Sequence, residues 1–160
     1  MDRVKILGQI PLFKDLTNAD LQKLGDIAKE VTFDKGQHVF EEGSIGDSLF
    51  AIESGSVCVV KGVNVGGEEV ASLSSGQHFG EMALIDDGPR SATIQAVEPT
   101  TLVQIKRKDL ENLLATDPDL AHRIYWTMAK YLCFRLRQTT KDFATTAEKA
   151  KMLNSYIFQY

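Results

Sequence analysis

The sequence predicts an α+β fold: an antiparallel β-sandwich or jelly-roll barrel with an N-terminal helix and C-terminal lid helices. Three observations predict it. Leu21, Leu24, Ile27 and Ala28 recur at helical spacing behind a capping threonine. Between residues 31 and 106, short β-prone runs alternate with glycine-bearing turns. Beyond residue 107 the helical period returns. The chain divides accordingly into an N-terminal helical segment, 1–30, a β-roll, 31–106, and C-terminal helices, 107–160.

Thr17 followed by Asp20 reads as a helix start, a hydroxyl cap with an acid in the first turn, and that helix should end near Glu30. Ahead of it, Ile10, Pro11, Leu12 and Phe13 form a short apolar segment expected to pack on the domain. Strands are expected at Val31–Phe33, His38–Phe40, Ser48–Glu53, Ser56–Val60, Glu69–Ser72, Thr93–Ala96 and Thr101–Ile105. Between them lie turn signals such as Asp34-Lys35-Gly36, Glu42-Gly43 and Ser75-Gly76, with Gly66-Gly67 marking a hairpin. Lys108 to Leu114 predicts a short helix, and Asp117-Pro118 restarts the chain with an acidic cap and a proline in the first turn. Leu120, Ile124, Met128, Leu132, Leu136 and Phe143 then fall near one face of a long helix. Asp142 to Tyr160 continues helix-like to an apolar cluster of Tyr156, Ile157, Phe158 and Tyr160.

Composition bounds the function. The 160 residues, 43% hydrophobic and 25% charged, suit a globular domain with a real core. A net charge of -4 argues against a broad nucleic-acid surface. Cys58 and Cys133 lie far apart without metal-ligand spacing, which fits two free thiols in a reducing cytoplasm. Met1 to Ile10 carries charge and no apolar core, so a signal peptide is not expected there, and no stretch of the sequence is long and apolar enough to span a bilayer.

The stretch that carries chemistry is Phe79-Gly80-Glu81-Met82-Ala83-Leu84-Ile85-Asp86-Asp87-Gly88-Pro89-Arg90-Ser91-Ala92-Thr93. Gly80 permits close backbone approach, and Glu81 to Leu84 can form one helical turn whose free N–H groups suit an anion. Gly88-Pro89 bends the chain back, so that Arg90 faces the same anion with a two-pronged guanidinium. Glu81 beside an anion asks for a hydroxyl donor, and a sugar supplies one. A ribose cyclic monophosphate satisfies both demands. The competing reading is a buried structural ion pair between Glu81 and Arg90.

This stretch resembles the phosphate-binding cassette, residues 79–93, of the cyclic-nucleotide-binding domain family, which includes kinase regulatory subunits, the catabolite activator protein and cyclic-nucleotide-gated channels. The resemblance runs from Ile10-Pro11-Leu12-Phe13 to about Leu136 and includes Phe33-Asp34-Lys35-Gly36, Gly46-Asp47-Ser48-Leu49-Phe50 and Ser54-Gly55. It implies that Glu81 accepts the ribose 2′-hydroxyl and Arg90 pairs with the cyclic phosphate. It further implies that the N–H groups of Gly80, Ala83 and Ser91 support ribose and phosphate, with Met82 in the same ligand-binding turn. Val70 and Ala71 then line the base pocket, and Arg135 on the long helix touches the base, with Arg137 as its alternative. The expected ligand is cAMP ahead of cGMP, because no threonine follows Arg90. No other cofactor is implied.

Other residues carry less. His38, His78 and His122 are scattered and read as surface or turn residues, not metal ligands; His78, next to the cassette, is expected in solvent. Asp86 and Asp87 read as a solvated turn, Cys58 as structural, and Tyr125 and Trp126 as packing on the sandwich, with a dimer contact as the alternative. No Ser/His/Asp or Cys/His arrangement is discernible, so no catalytic residue is assigned and no enzyme is expected.

The resemblance implies a switch, with a lid from Pro118 to about Phe143 that closes over the base. Ile124, Met128, Tyr131 and Leu132, at near-heptad spacing, are expected to form a homodimer seam; the alternative is that they cover the chain's own sandwich. The stretch after Lys141 is too short for a winged helix-turn-helix, so DNA binding is not expected. Three readings follow: a sensor signalling through an effector protein, a regulatory fragment of a larger cyclic-nucleotide-controlled enzyme or transporter, or a scaffold that keeps the fold without the ligand.

Overall fold

The computed structural model describes residues 2–62 and 66–157, with side chains to residue 151. Among the described residues, four helices frame eight strands. α1 (Arg3–Gln9), a 3-10 turn (Pro11–Phe13) and α2 (Asn18–Ile27) precede β1 (Lys29–Phe33), β2 (His38–Phe40), β3 (Ser48–Ser54), β4 (Ser56–Lys61), β5 (Glu68–Ser74) and β6 (His78–Phe79). A second 3-10 turn (Glu81–Leu84) leads to β7 (Thr93–Ala96), β8 (Thr100–Lys106), α3 (Arg107–Thr116) and α4 (Pro118–Ile157).

The strands form two antiparallel four-stranded sheets, ordered β1-β8-β3-β6 and β2-β7-β4-β5. Within the first sheet β3 is buried on both faces, which explains the apolar run Leu49 to Ile52. Leu49 and Ala51 of β3 join a core shared with the helices, with Val103 and Ile105 of β8. The intervening Phe50 and Ile52 face the second sheet and pack with Val57, Phe79, Ile94 and Leu102. Side-chain alternation thus gives the molecule two cores, one between sheet and helices and one between the sheets.

Thr17 caps α2 as expected, in a full capping box with Asp20. Asp117 caps α4, accepting from the Leu120 N–H at 3.0 Å. α1 was not anticipated; Asp2 caps it, and Ile6 and Leu7 bury its inner face. α2 stops at Ile27 instead of Glu30, because Lys29 already pairs with Gln104 in the sheet. The Gly66-Gly67 hairpin joins β4 to β5 with Lys61 opposite Glu68, and the Gly67 N–H donates to the Gly62 carbonyl at 3.0 Å; residues 63–65 of its turn lie outside the described residues.

α4 corrects three expectations. Ile124, Met128 and Tyr131 are not an open seam: they are buried in the core beneath α4, and Leu132 packs against that core. Tyr125 and Trp126 do not pack on the sandwich but are exposed, Trp126 by 61%. Leu136 and Phe143 leave the packed face, at 68% and 74% exposed, because the domain beneath the helix has ended. The cluster of Tyr156, Ile157, Phe158 and Tyr160 lies outside the side chains described. Ion pairs fasten the first half of α4: Arg123 grips the buried Asp20 through Nη2 at 2.7 Å and Nε at 3.0 Å, and Lys130 reaches Asp15. Among the described residues, no helix is long and apolar enough to cross a membrane.

Candidate functional site

The site is made where β6 runs out. Phe79 pairs with Phe50 on β3, and Gly80 then takes a left-handed conformation, φ 78°, that a side chain would resist. A 3-10 turn follows at once, its first bond running from the Ala83 N–H to the Gly80 carbonyl at 3.2 Å. Buried Ala83 and Leu84 anchor the turn. Glu81 stays half-buried and Met82 exposed. Beyond it the Asp86 carboxylate accepts from the Gly88 N–H, and Pro89 bridges Ile45 across to the loop between β2 and β3. Two backbone bonds then fix Arg90: its N–H donates to Ser44 and its carbonyl accepts from Gly43. Ser91 is exposed, while Ala92 and Thr93 return inward to β7.

Arg90 is therefore held at both backbone ends and turned inward, with 9% of its surface exposed. Its Nη2 donates to the Ser48 carbonyl at 2.9 Å and its Nη1 to the Gly80 carbonyl at 3.4 Å. The Nε–H is buried and has no acceptor. Its guanidinium carbon stands 3.9 Å from the centroid of the Phe40 ring. No ion pair involves Arg90 among the described residues, so the Glu81–Arg90 structural pair does not form. Burial pulls the Arg90 pKa down, and the charges of Asp47 and Glu81 oppose that pull. Such a guanidinium, dry and tied only to carbonyls, is suited to receive an anion.

The long helix reaches the same neighbourhood. Arg135 donates from Nη1 to the Tyr131 hydroxyl at 3.0 Å. Burial works against its charge, but Tyr131 and Glu81 together raise its pKa. Tyr131 packs on His78 at a centroid distance of 4.9 Å. His78 is thus not in solvent. It pairs with Ala51 on the helix-facing side of the first sheet, and α4 covers it. Burial, and secondarily the Arg135 charge, lower its pKa to about 4, and its Nε2 has no partner.

Gly80, Glu81, Met82, Ala83, Arg90 and Ser91 thus share one loop, with Arg135 within electrostatic reach of Glu81. Val70 and Ala71 stand exposed on β5, the edge strand of the second sheet. Asp86 and Asp87 do more than turn the chain: Arg107 Nη1 lies 2.7 Å from both the Asp86 carbonyl and the Asp87 carboxylate. The parts of the site that the sequence reading missed are Phe40, Arg107 and the backbone at Gly46 and Ser48.

The sequence pattern of the Cyclic nucleotide-binding domain family matches residues 30–117. The chain is 34% identical over 117 residues to a cAMP-dependent protein kinase regulatory subunit of Mucor circinelloides f. lusitanicus, covering 73% of this chain and 27% of that protein. It is 32% identical over 155 residues to a cGMP-dependent protein kinase of Eimeria tenella, covering 96% of this chain and 14% of that protein. The chain therefore spans well under half the length of either relative. The crystal structure of a cyclic nucleotide-binding domain from Methylobacillus flagellatus KT superposes with a TM-score of 0.75 at 30% identity, over 90% of this chain and 82% of that one.

Proposed function

The chain belongs to the cyclic nucleotide-binding domain family, and on that premise we propose that it is a regulatory sensor of cyclic nucleotides, not a catalyst. The observation that carries this reading is Arg90: a buried guanidinium with no carboxylate partner and an unused Nε–H among the described residues. A cyclic phosphate supplies the countercharge and accepts those donors. Glu81, first residue of the adjoining turn, takes the ribose 2′-hydroxyl. The N–H groups of Gly80 and Ser91 and the Met82 turn support ribose and phosphate; the Ala83 N–H, already bonded to Gly80, contributes after a small opening of that turn.

The base lies toward Val70 and Ala71, whose exposed side chains a purine would cover. Arg135 reaches the base by leaving Tyr131, so ligand and Tyr131 compete for one guanidinium, and that exchange moves α4. cAMP is preferred to cGMP. The related kinases include both a cAMP-dependent and a cGMP-dependent one. The sensor acts in the cytoplasm on an effector protein, or within a larger regulated protein. Calorimetric titration with cAMP and cGMP tests the reading: saturable binding with cAMP tighter is expected, clear preference for cGMP would reverse the ligand assignment, and no binding of either would leave only the non-binding scaffold.

We also propose a homodimer through α4, on a different face from Ile124, Met128 and Tyr131. Tyr125, Ala129, Leu136 and Phe143 recur at steps of four and seven residues, the spacing of one position type in a coiled-coil seam with its neighbour. Tyr125, Leu136 and Phe143 are exposed. A second copy presents the same stripe, so its α4 is the occupant that fits.

A further inference from the structure

We infer that Phe40 is a positioning residue for ligand binding: its ring face holds the Arg90 guanidinium in the binding orientation where other buried arginines use a carboxylate. The inference rests on the reading of Arg90 as the phosphate partner. Three observations carry it. The guanidinium carbon lies 3.9 Å from the Phe40 centroid, well within the range of a cation–π contact. The ring is itself fixed, tilted against Phe50 at 6.1 Å and Phe79 at 5.8 Å, and those two are stacked at 5.4 Å. The strand is distorted to put it there: between His38 and Phe40, β2 advances two residues while β7 advances one, from Gln95 to Ile94. Because of this bulge, consecutive Val39 and Phe40 both pack on the core between the sheets, where a regular strand would send them to opposite faces.

The choice of partner has a chemical consequence. A carboxylate on Arg90 would neutralise it and occupy its donor edge, and an incoming phosphate would have to displace that acid. The ring quadrupole stabilises the cation from its face and places no charged acceptor on the donor edge. Nη2 and Nη1 are steadied by the Ser48 and Gly80 carbonyls, and Nε is left over. Phe40 thus keeps a dry cation in place without consuming its charge. Without the ring, the guanidinium turns to solvent and each binding event must bring it back.

The test holds the shape of residue 40 constant and weakens only the ring face. Full-length protein with mono-, di- and trifluorophenylalanine at Phe40 is titrated with cAMP by calorimetry, beside Phe40→Tyr and Phe40→Leu. Affinity is expected to fall stepwise with each fluorine. Phe40→Leu is expected to bind roughly 3- to 30-fold more weakly, and Phe40→Tyr to restore most of that loss. Equal affinity across the fluorinated series would overturn the inference, whatever Phe40→Leu does, because packing alone is insensitive to ring electronics. Failure of the unsubstituted protein to bind cAMP or cGMP would instead remove the reading of Arg90 on which the inference stands.

Discussion

Gly46 and Arg90 are fitted to one another: a Cβ on Gly46 would stand 2.5 Å from Arg90 Nε and 2.7 Å from the guanidinium carbon. Gly46 is not among the positive-φ glycines, so an alanine would meet no backbone strain there. Gly46→Ala should therefore act through Arg90 alone, lowering cAMP affinity about tenfold or more while shifting the ligand-free melting temperature little. Titration and thermal melting of the same sample check this. Unchanged affinity would show that Arg90 binds from some other rotamer.

Arg90→Ala should weaken cAMP binding by about 2–5 kcal/mol, the cost of removing one partner of a desolvated charge pair. That corresponds to roughly tens-fold to a few thousand-fold in dissociation constant. Arg90→Lys should recover part of the loss, because an ammonium lacks the two-pronged contact. Glu81→Ala should weaken cAMP but hardly affect 2′-deoxy-cAMP, so competition between the two analogues reads Glu81 directly. A collapsed ligand-free melting temperature in both variants with unaltered affinity would return the pair to a structural role.

His78 makes stability pH-dependent in a stated direction. Its pKa is about 4 in the folded chain against an ordinary 6.5, so between those values the unfolded chain binds more protons. Stability is then complete above about pH 6.5 and declines as pH falls toward 4, by up to about 3 kcal/mol in total. His78→Leu should flatten that part of the profile, measured by urea unfolding at a series of pH values. An unaltered profile would mean that other groups carry the dependence.

The two faces of α4 should separate on mutation. Met128 is buried beneath the helix, so Met128→Ala should cost about 2–4 kcal/mol of stability without altering assembly. Leu136→Glu and Phe143→Glu alter exposed positions and should leave the domain folded but monomeric. Sedimentation velocity reads the assembly. A wild-type monomer at high concentration would exclude the seam.

The cassette was legible because its parts are neighbours in sequence. Gly80, the turn from Glu81 to Leu84, Gly88-Pro89 and Arg90 lie within one short stretch, and each residue type limits the backbone it can occupy. The arginine's other partners were not legible. Phe40, Gly46 and Ser48 approach it only once β2, β3 and the cassette are assembled, and nothing in the local pattern marks them as a group. His78 was misjudged because β6 has two residues, too few to display alternation. On α4 the period revealed apolar stripes but not which one the domain covers. That choice is made by tertiary anchors such as Asp20 on Arg123.

Among the described residues, the fastening of α4 is confined to one end. Asp20, Asp15 and the core beneath Met128 and Tyr131 hold its first half, yet the helix runs unbroken for 40 residues to Ile157. From Leu132 onward, a rise of 1.5 Å per residue makes a rod of about 37 Å. A rod rooted at one end magnifies rotation into travel: a tilt of about 10° at Tyr131 sweeps the tip through roughly 6 Å. If the proposed exchange of one guanidinium from one phenol tilts the helix by that much, it would arrive at the far end as a displacement longer than a helical turn.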